Sequence, residues 1–362
     1  MITVPVRAGE RRYEVSIGSG LIDRAGELLP ELPRAKRAFV VSDPAAADLY
    51  GEMLAAGLGG RGWDAVALRV PQGEEAKTLQ VTEMLYRQLA AQEAHRDDVV
   101  LGLGGGAAGD LAGFVGATYM RGLHVVQVPT TLTAQVDAAI GGKTAVNLPE
   151  SKNLVGAFHQ PDAVAADVAT LSTLEERDLR SGLAEVAKYG LTLDPEILPI
   201  LDERSEAIWK RDPDVLEDLV VRCVRCKASV VEADERDAGR RLLLNYGHTL
   251  AHALERLEGY TGRSHGEAVA VGMVFAARLS EALGIGSPEL VQRHLRIVAM
   301  LGLEPEGGLP GVDAILGAFR LDKKYSGGVR FVLLEGVGAP RVVEDVPEET
   351  VRKVLEEMGA GG

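Results

Sequence analysis

Residues 97–114 read D-D-V-V-L-G-L-G-G-G-A-A-G-D-L-A-G-F. An apolar run at 99–103, a turn of glycines and the start of a helix follow one another without a break. Gly104, Gly106 and Gly109 satisfy G-x-G-x-x-G. Glycines there let backbone amides approach a pyrophosphate, and a helix N-terminus favours the anion. The motif follows a late strand rather than the first one. No acid stands about 20 residues downstream to hold a ribose, but Asp43, at the end of an earlier strand, can take that place. Without a ligand the same residues make a tight strand-to-helix turn.

On either side of this turn, strand and helix alternate. Residues 2–7 and 13–17 alternate apolar and polar about Gly9 and read as a hairpin. Helix is expected over 21–29, 45–56, 77–92 and 108–118, and strand over 38–42, 65–70, 99–103, 124–128 and 163–167. Alternation at these lengths implies a parallel sheet covered on both faces. Beyond about residue 170 helices dominate: 174–189, 196–210, 215–234, 249–257, 268–283, 289–300 and 348–357, with a late hairpin at 330–335 and 341–344. The fold class is thus an α/β half, 1–169, followed by a mostly α-helical half, 170–362. A cleft between halves is the default ligand site.

The chain has 362 residues and a formal net charge of -14. The length calls for two domains. So acidic a balance argues against nucleic acid as a partner, because phosphate contacts need surplus Lys and Arg. No apolar run reaches the roughly 18 residues of a membrane span. Met1 leads directly into I-T-V-P-V-R, without an apolar leader. The expected location is cytoplasmic, with no membrane partner. Cys223 and Cys226 form a lone C-x-x-C. A structural zinc site needs a second pair, so ordinary reduced thiols are expected.

Further candidates follow the strands. Thr130 and Thr131, in V-P-T-T-L, can cap a helix or contact a nucleotide. Gly73-Glu74-Glu75-Ala76-Lys77 occupies the corresponding place after an earlier strand. Asp137, Lys143 and Asn147 surround Gly141-Gly142, and Lys152 and Asn153 follow. Charges beside paired glycines in a helix-to-loop setting point to anion binding, or to a solvated loop. The stretch 245–267 holds three of the seven histidines. His248 and His252, four apart, share a helix face, and His265 precedes Gly266-Glu267. No Glu follows the first histidine, so the H-E-x-x-H peptidase reading fails. Glu185 and Glu267 are both candidates for a further ligand, and three ligands with an open position make a catalytic site. In a chain this acidic, Arg121, Lys143, Lys152, Lys188, Lys227, Arg241, Lys323 and Lys324 near the motifs point to an anionic substrate.

Several stretches together carry a family resemblance: G-G-G-A-A-G-D-L-A-G-F, Y-M-R-G, V-P-T-T-L-T-A-Q-V-D-A-A-I-G-G-K-T-A-V-N, K-N-L-V-G-A-F-H-Q-P, S-G-L-A-E-V-A-K-Y-G, L-N-Y-G-H-T-L-A-H-A-L-E, S-H-G-E-A-V and D-K-K. In order and spacing the chain resembles the 3-dehydroquinate synthases over almost its whole length. The resemblance implies a Rossmann-like NAD-binding domain and a helical metal- and substrate-binding domain. It also implies a homodimer that uses NAD and one divalent metal, zinc or cobalt. Such enzymes convert the phosphorylated keto-acid sugar DAHP into 3-dehydroquinate and phosphate, in the shikimate pathway. The family's metal ligands fall on Glu185, His248 and His265. NAD contacts fall on Asp43, Glu74, Lys77, Gly105, Gly106, Asp110, Thr130, Thr131, Lys152 and Thr173, with Lys143 also facing the cofactor. Substrate phosphate falls on Lys143, Asn153, His252 and Lys323, with Arg121 reaching from a neighbouring subunit. Lys227 and Arg241 match the carboxylate binders, and Asp137, Lys188 and Asn245 match residues around the hydroxyls. Ala107-Ala108 and Tyr246 depart from the family's usual bulkier aliphatic pair and Phe or Leu, which bears on packing. Other sugar-phosphate cyclases share the metal and NAD motifs. Iron-dependent polyol dehydrogenases share the glycine turn and P-T-T.

Overall fold

The computed structural model describes residues 1–29, 37–237, 239–260, 262–305, 308–320 and 329–361. Packing divides the chain into two compact units, Met1–Leu174 with Leu216–Arg236, and Glu175–Val215 with Asp237–Gly362.

The first unit carries strands β1 (Ile2–Ala8), β2 (Arg11–Gly18), β3 (Arg37–Ser42), β4 (Asp64–Arg69), β5 (Val99–Gly104), β6 (His124–Pro129), β7 (Lys143–Leu148), β8 (Ser151–Phe158) and β9 (Ala163–Asp167). A seven-stranded sheet runs β1-β2-β9-β6-β5-β3-β4. β1 and β2 form the antiparallel hairpin at one edge, and the remaining pairs are parallel. Successive side chains of a strand face opposite ways, so a sheet covered on both faces needs continuous apolar runs. Ala38 and Val40 of β3, with Leu101 and Leu103 of β5, pack against the Pro44–Gly59 helix. Phe39, Val41 and Val100 face the other way, against the Leu79–Ala91 and Gly106–Thr118 helices.

The chain steps from β3 outward to β4, then back past β3 to β5. The order therefore reverses between β3 and β5, and the crevice at their carboxyl ends is where such sheets take ligands. Asp43 follows β3, and the glycine turn follows β5.

Two stretches differ from the sequence reading. Residues 141–153 are not a helix-to-loop segment. A π-helical turn, Ala134–Ala138, leads through Gly141 (φ +88) and Gly142 (φ +65) into β7, which pairs antiparallel with β8. β7 alternates, with Thr144 and Val146 buried, but the run is short and closely flanked by turn residues. The expected helix at 196–210 is broken into Ile197–Glu203 and Ser205–Trp209.

The second unit is helical, apart from the hairpin of β10 (Phe331–Leu334) and β11 (Pro340–Val343). Its central helix, His265–Ala282, packs against Glu176–Thr192, His248–Leu257 and Pro288–Met300. A helix at Val312–Arg320 was not expected from the sequence. Among the described residues no helix is long and apolar enough to cross a membrane.

His294 lies in this helical core, fully buried. Its Nδ1 donates to Leu290 O at 2.7 Å, and its Nε2 accepts from the Tyr246 hydroxyl at 2.7 Å. Burial lowers its pKa from 6.5 to about 4. Above pH 6.5 both folded and unfolded forms are neutral, and the stability is present in full. Between 6.5 and about 4 the unfolded chain binds a proton that the folded one refuses. Stability then falls with pH by about 1.4 kcal/mol per unit from this group. Urea unfolding of wild type and His294→Gln between neutral pH and pH 4.5 should show the steeper loss in wild type. Parallel curves would count against it.

Candidate functional site

Two close helix crossings bring the histidines of the second unit to one carboxylate. Gly266, beside His265, donates its N–H to Ser181 Oγ at 2.9 Å. A Cβ on Gly266 would sit 2.3 Å from Ser181 Cα, so the Glu176–Thr192 helix can approach only a glycine. Gly272 meets the carbonyl of Gly247 in the same way, 1.9 Å from where its Cβ would be. Gly247 has φ +78 and starts the His248–Leu257 helix. These contacts hold His248, His265 and, one turn beyond Ser181, Glu185.

His248 Nε2 lies 3.4 Å and His265 Nε2 3.2 Å from Glu185 Oε1. One ligand atom from each of Glu185, His248 and His265 falls within 4.8 Å of the others. Glu185 is 1% exposed, and neither of its oxygens has a hydrogen bond of good geometry. The Lys188 ammonium, from the next turn, contacts Oε2. Burial would raise this carboxyl, but Lys188 and then the two histidines hold it well below its ordinary value. His248 Nδ1 donates to Tyr246 O at 3.0 Å. The proton is therefore on Nδ1, because a carbonyl only accepts. Burial lowers the His248 pKa to about 4, leaving a bare Nε2 lone pair aimed at a carboxylate oxygen. Burial also opposes charge on His265, but Glu185 and Glu255 overcome it and raise its pKa to about 10. In the absence of a metal, His265 thus carries a proton that a metal would displace. The bare His248 Nε2 facing an oxygen of a buried carboxylate is costly unless a cation lies between them. The donor set of two imidazoles and one carboxylate fits a divalent ion with an open position.

Glu267 is not part of this cluster. Its side chain accepts from Ser264 N at 2.6 Å, closing a capping box at the start of the His265–Ala282 helix. It also pairs with Arg177 at 2.9 Å. His252 is exposed and stands edge-on to His248, with ring centroids 5.5 Å apart. Arg241 and Lys188 are each 1% exposed, and Asn245 ends a short turn before Tyr246. Lys323 and Lys324 fall outside the described residues. Glu255, not among the sequence candidates, lies with its Oε1 3.5 Å from His265 Nδ1. Its signal was available: His248, His252 and Glu255 form one i, i+4, i+7 stripe.

The first unit gathers the other candidates. Gly105 caps the Gly106–Thr118 helix without a side chain. A Cβ there would lie 3.2 Å from Thr131 Cγ2, and one on Gly106 3.2 Å from Ala138 Cβ. The glycines thus let Thr131 and Ala138 pack close against the turn, and the N-terminus of the helix that follows favours an anion such as a pyrophosphate. Thr130 N–H donates to Gly104 O at 2.9 Å, which ties the ends of β5 and β6 together. Asp43 accepts from Ala46 N at 2.9 Å and caps its own helix. Thr173 hydrogen-bonds the Tyr50 hydroxyl. Lys77 Nζ donates at 2.6 Å both to Asp110 Oδ2 and to Asn153 Oδ1. Burial raises the Asp110 pKa against the pull of Lys77. Glu74 accepts from Asn147 Nδ2 at 2.6 Å and pairs with Lys152 at 3.5 Å. The β7–β8 hairpin thereby brings Asn147, Lys152 and Asn153 onto Glu74 and Lys77. Asn153 itself has φ +55. Lys143 is exposed at the start of β7. Lys227, buried, hydrogen-bonds Asp137. Arg121 is exposed, with φ +66.

The fold is that of the sugar-phosphate cyclases. The structure matches a 2-deoxy-scyllo-inosose synthase complexed with carbaglucose-6-phosphate, NAD+ and Co2+ (TM-score 0.88, 27% identity, 99% of this chain and 100% of that one). It also matches the 2-epi-5-epi-valiolone synthase of Streptomyces hygroscopicus with NAD+ and Zn2+ bound (TM-score 0.87, 28% identity, 97% and 98% covered). Residues 67–181 match the family model for the 3-dehydroquinate synthase N-terminal part and 182–325 that for the C-terminal part. The 3-dehydroquinate synthase of Desulforamulus reducens is 43% identical over 98% of this chain and 99% of its own. This chain belongs to the 3-dehydroquinate synthase family.

The Gly247–Gly272 contact should be intolerant of even one carbon. Gly272→Ala would set its methyl 1.9 Å from the Gly247 carbonyl. A loss of about 1–3 kcal/mol or more is expected, as for overpacked cores, read as a lower urea midpoint. An unchanged midpoint would contradict the crossing described.

Proposed function

We propose that this chain converts DAHP into 3-dehydroquinate and phosphate, using bound NAD and one divalent ion, zinc or cobalt. The observation that carries the reading is the buried Glu185 carboxylate facing two imidazole Nε2 atoms with no hydrogen bond of good geometry to its oxygens. The names of the relatives and the cofactors of the structural neighbours support it.

Glu185, His248 and His265 would hold the ion. When bound there, it supplies Lewis-acid polarisation of a substrate hydroxyl. Asp43, Glu74, Lys77, Gly105, Gly106, Asp110, Thr130, Thr131, Lys152 and Thr173 would hold NAD, which would supply reversible hydride transfer with no net NADH. The remaining residues position an anion at both ends. Lys143, Asn153, His252 and Lys323 take the phosphate, with Arg121 supplied by the partner copy of a homodimer. Lys227 and Arg241 take the carboxylate. Asp137, Lys188 and Asn245 orient the hydroxyls. Fixed charges at the two ends place the reacting carbons without reorganisation. In the structure Lys77 Nζ donates to Asn153 Oδ1 and the Asn153 backbone N–H donates to Asn147 Oδ1; a phosphate would accept from the Nδ2 end of the same side chain. Phosphate leaves by elimination and the ring closes by an intramolecular aldol addition, steps in which much of the chemistry belongs to the substrate. We place the enzyme in the cytoplasm, with the NAD-holding residues mainly in 1–169 and the metal ligands in 170–362.

Phosphate release from DAHP with a trace of NAD and added zinc or cobalt tests this directly. Release without net NADH is expected, and no release would sink the assignment. In a parallel experiment, Glu185→Ala should lose metal and activity while still binding NAD. Retained metal stoichiometry in that variant would remove Glu185 from the ligand set.

A further inference from the structure

The two histidines of the cluster are alike in front and unlike behind. Both present Nε2 to Glu185 Oε1. Behind His248, Nδ1 meets a neutral acceptor, the Tyr246 carbonyl, at 3.0 Å. Behind His265, Nδ1 faces the Oε1 of Glu255 at 3.5 Å, a carboxylate that is itself buried. Either partner keeps the proton on Nδ1 and so leaves Nε2 as the atom that would give its lone pair to a metal. The carboxylate also adds negative charge behind the ring, which makes Nε2 a stronger donor.

Resting on the metal reading above, we propose that Glu255 is a positioning residue for His265, fixing its tautomer and ring orientation and strengthening it as a metal donor. The placement is built into the helices. Glu255 follows His248 by two turns on the same face of one helix. His265 opens the next, where the Ser264–Glu267 capping box fixes its backbone. Glu267 is thus committed to the backbone and to Arg177, whereas Glu255 is aimed at the ring.

The test is a titration of metal-free protein with zinc in competition with a chelator, on folded samples checked by far-UV circular dichroism. Glu255→Gln keeps the size and removes the charge. The expected result is one zinc per chain bound about 10–100-fold more weakly than by wild type. Glu255→Leu, which also lacks the acceptor, should lose at least as much. Wild-type affinity in a folded Glu255→Gln protein overturns the proposal. So does loss of the whole zinc equivalent, which would make Glu255 a ligand. Wild type that binds no zinc overturns the metal reading itself, a different result from a wild type and variant that bind equally.

Discussion

A carboxylate buried at 1% exposure with two imidazole nitrogens closing on one of its oxygens is the constraint on which the helical unit depends. A charged group so placed is costly unless paired. Lys188 contacts Oε2 from the next turn, but Oε1 faces the bare Nε2 of His248 as well as the Nε2 of His265. The chain keeps this arrangement because its helices cannot relax away from it. Ser181 and Gly266 fix one crossing, and Gly247 and Gly272 the other. His248 is further locked by a hydrogen bond to its own backbone two residues back. The site is thus preorganised by backbone contacts as much as by side chains.

The sheet unit rests on a different constraint. Parallel strands covered on both faces must be apolar on both, and so have few polar side chains to spend on function. Chemistry is displaced to the ends of the strands. Asp43, Gly104–Gly106 and Thr130–Thr131 all lie at carboxyl ends, where the glycines let neighbouring side chains pack close against the turn. The β7–β8 hairpin adds Asn147, Lys152 and Asn153 to the same charged network through Glu74 and Lys77.

Much of this was legible in the sequence, where the cause is local. Continuous apolar runs of β3 and β5, and the glycine turn after β5, mark strand and turn by their composition. The hairpin at 143–158 was not legible as such, because two left-handed glycines and short alternating runs resemble a loop until the partner strand is known. For the candidate metal cluster, spacing marks the paired histidines but cannot choose between Glu185 and Glu267, since a carboxylate from another helix leaves no local trace. One clue was passed over: Ser264-His265-Gly266-Glu267 is itself a capping box in S-x-x-E form, which commits Glu267 to the helix start. Resemblance to a family, not spacing, separated His248 from His252. The geometry has His248 facing Glu185, with His252 exposed beside it.

The most direct measurement is anomalous scattering from a crystal of the zinc-loaded protein, collected on both sides of the zinc absorption edge. A single peak is expected about 2.0–2.2 Å from an oxygen of Glu185 and from Nε2 of both His248 and His265. A peak centred on His252 instead, or none beside Glu185, would contradict the assignment of this buried carboxylate as the metal's anchor.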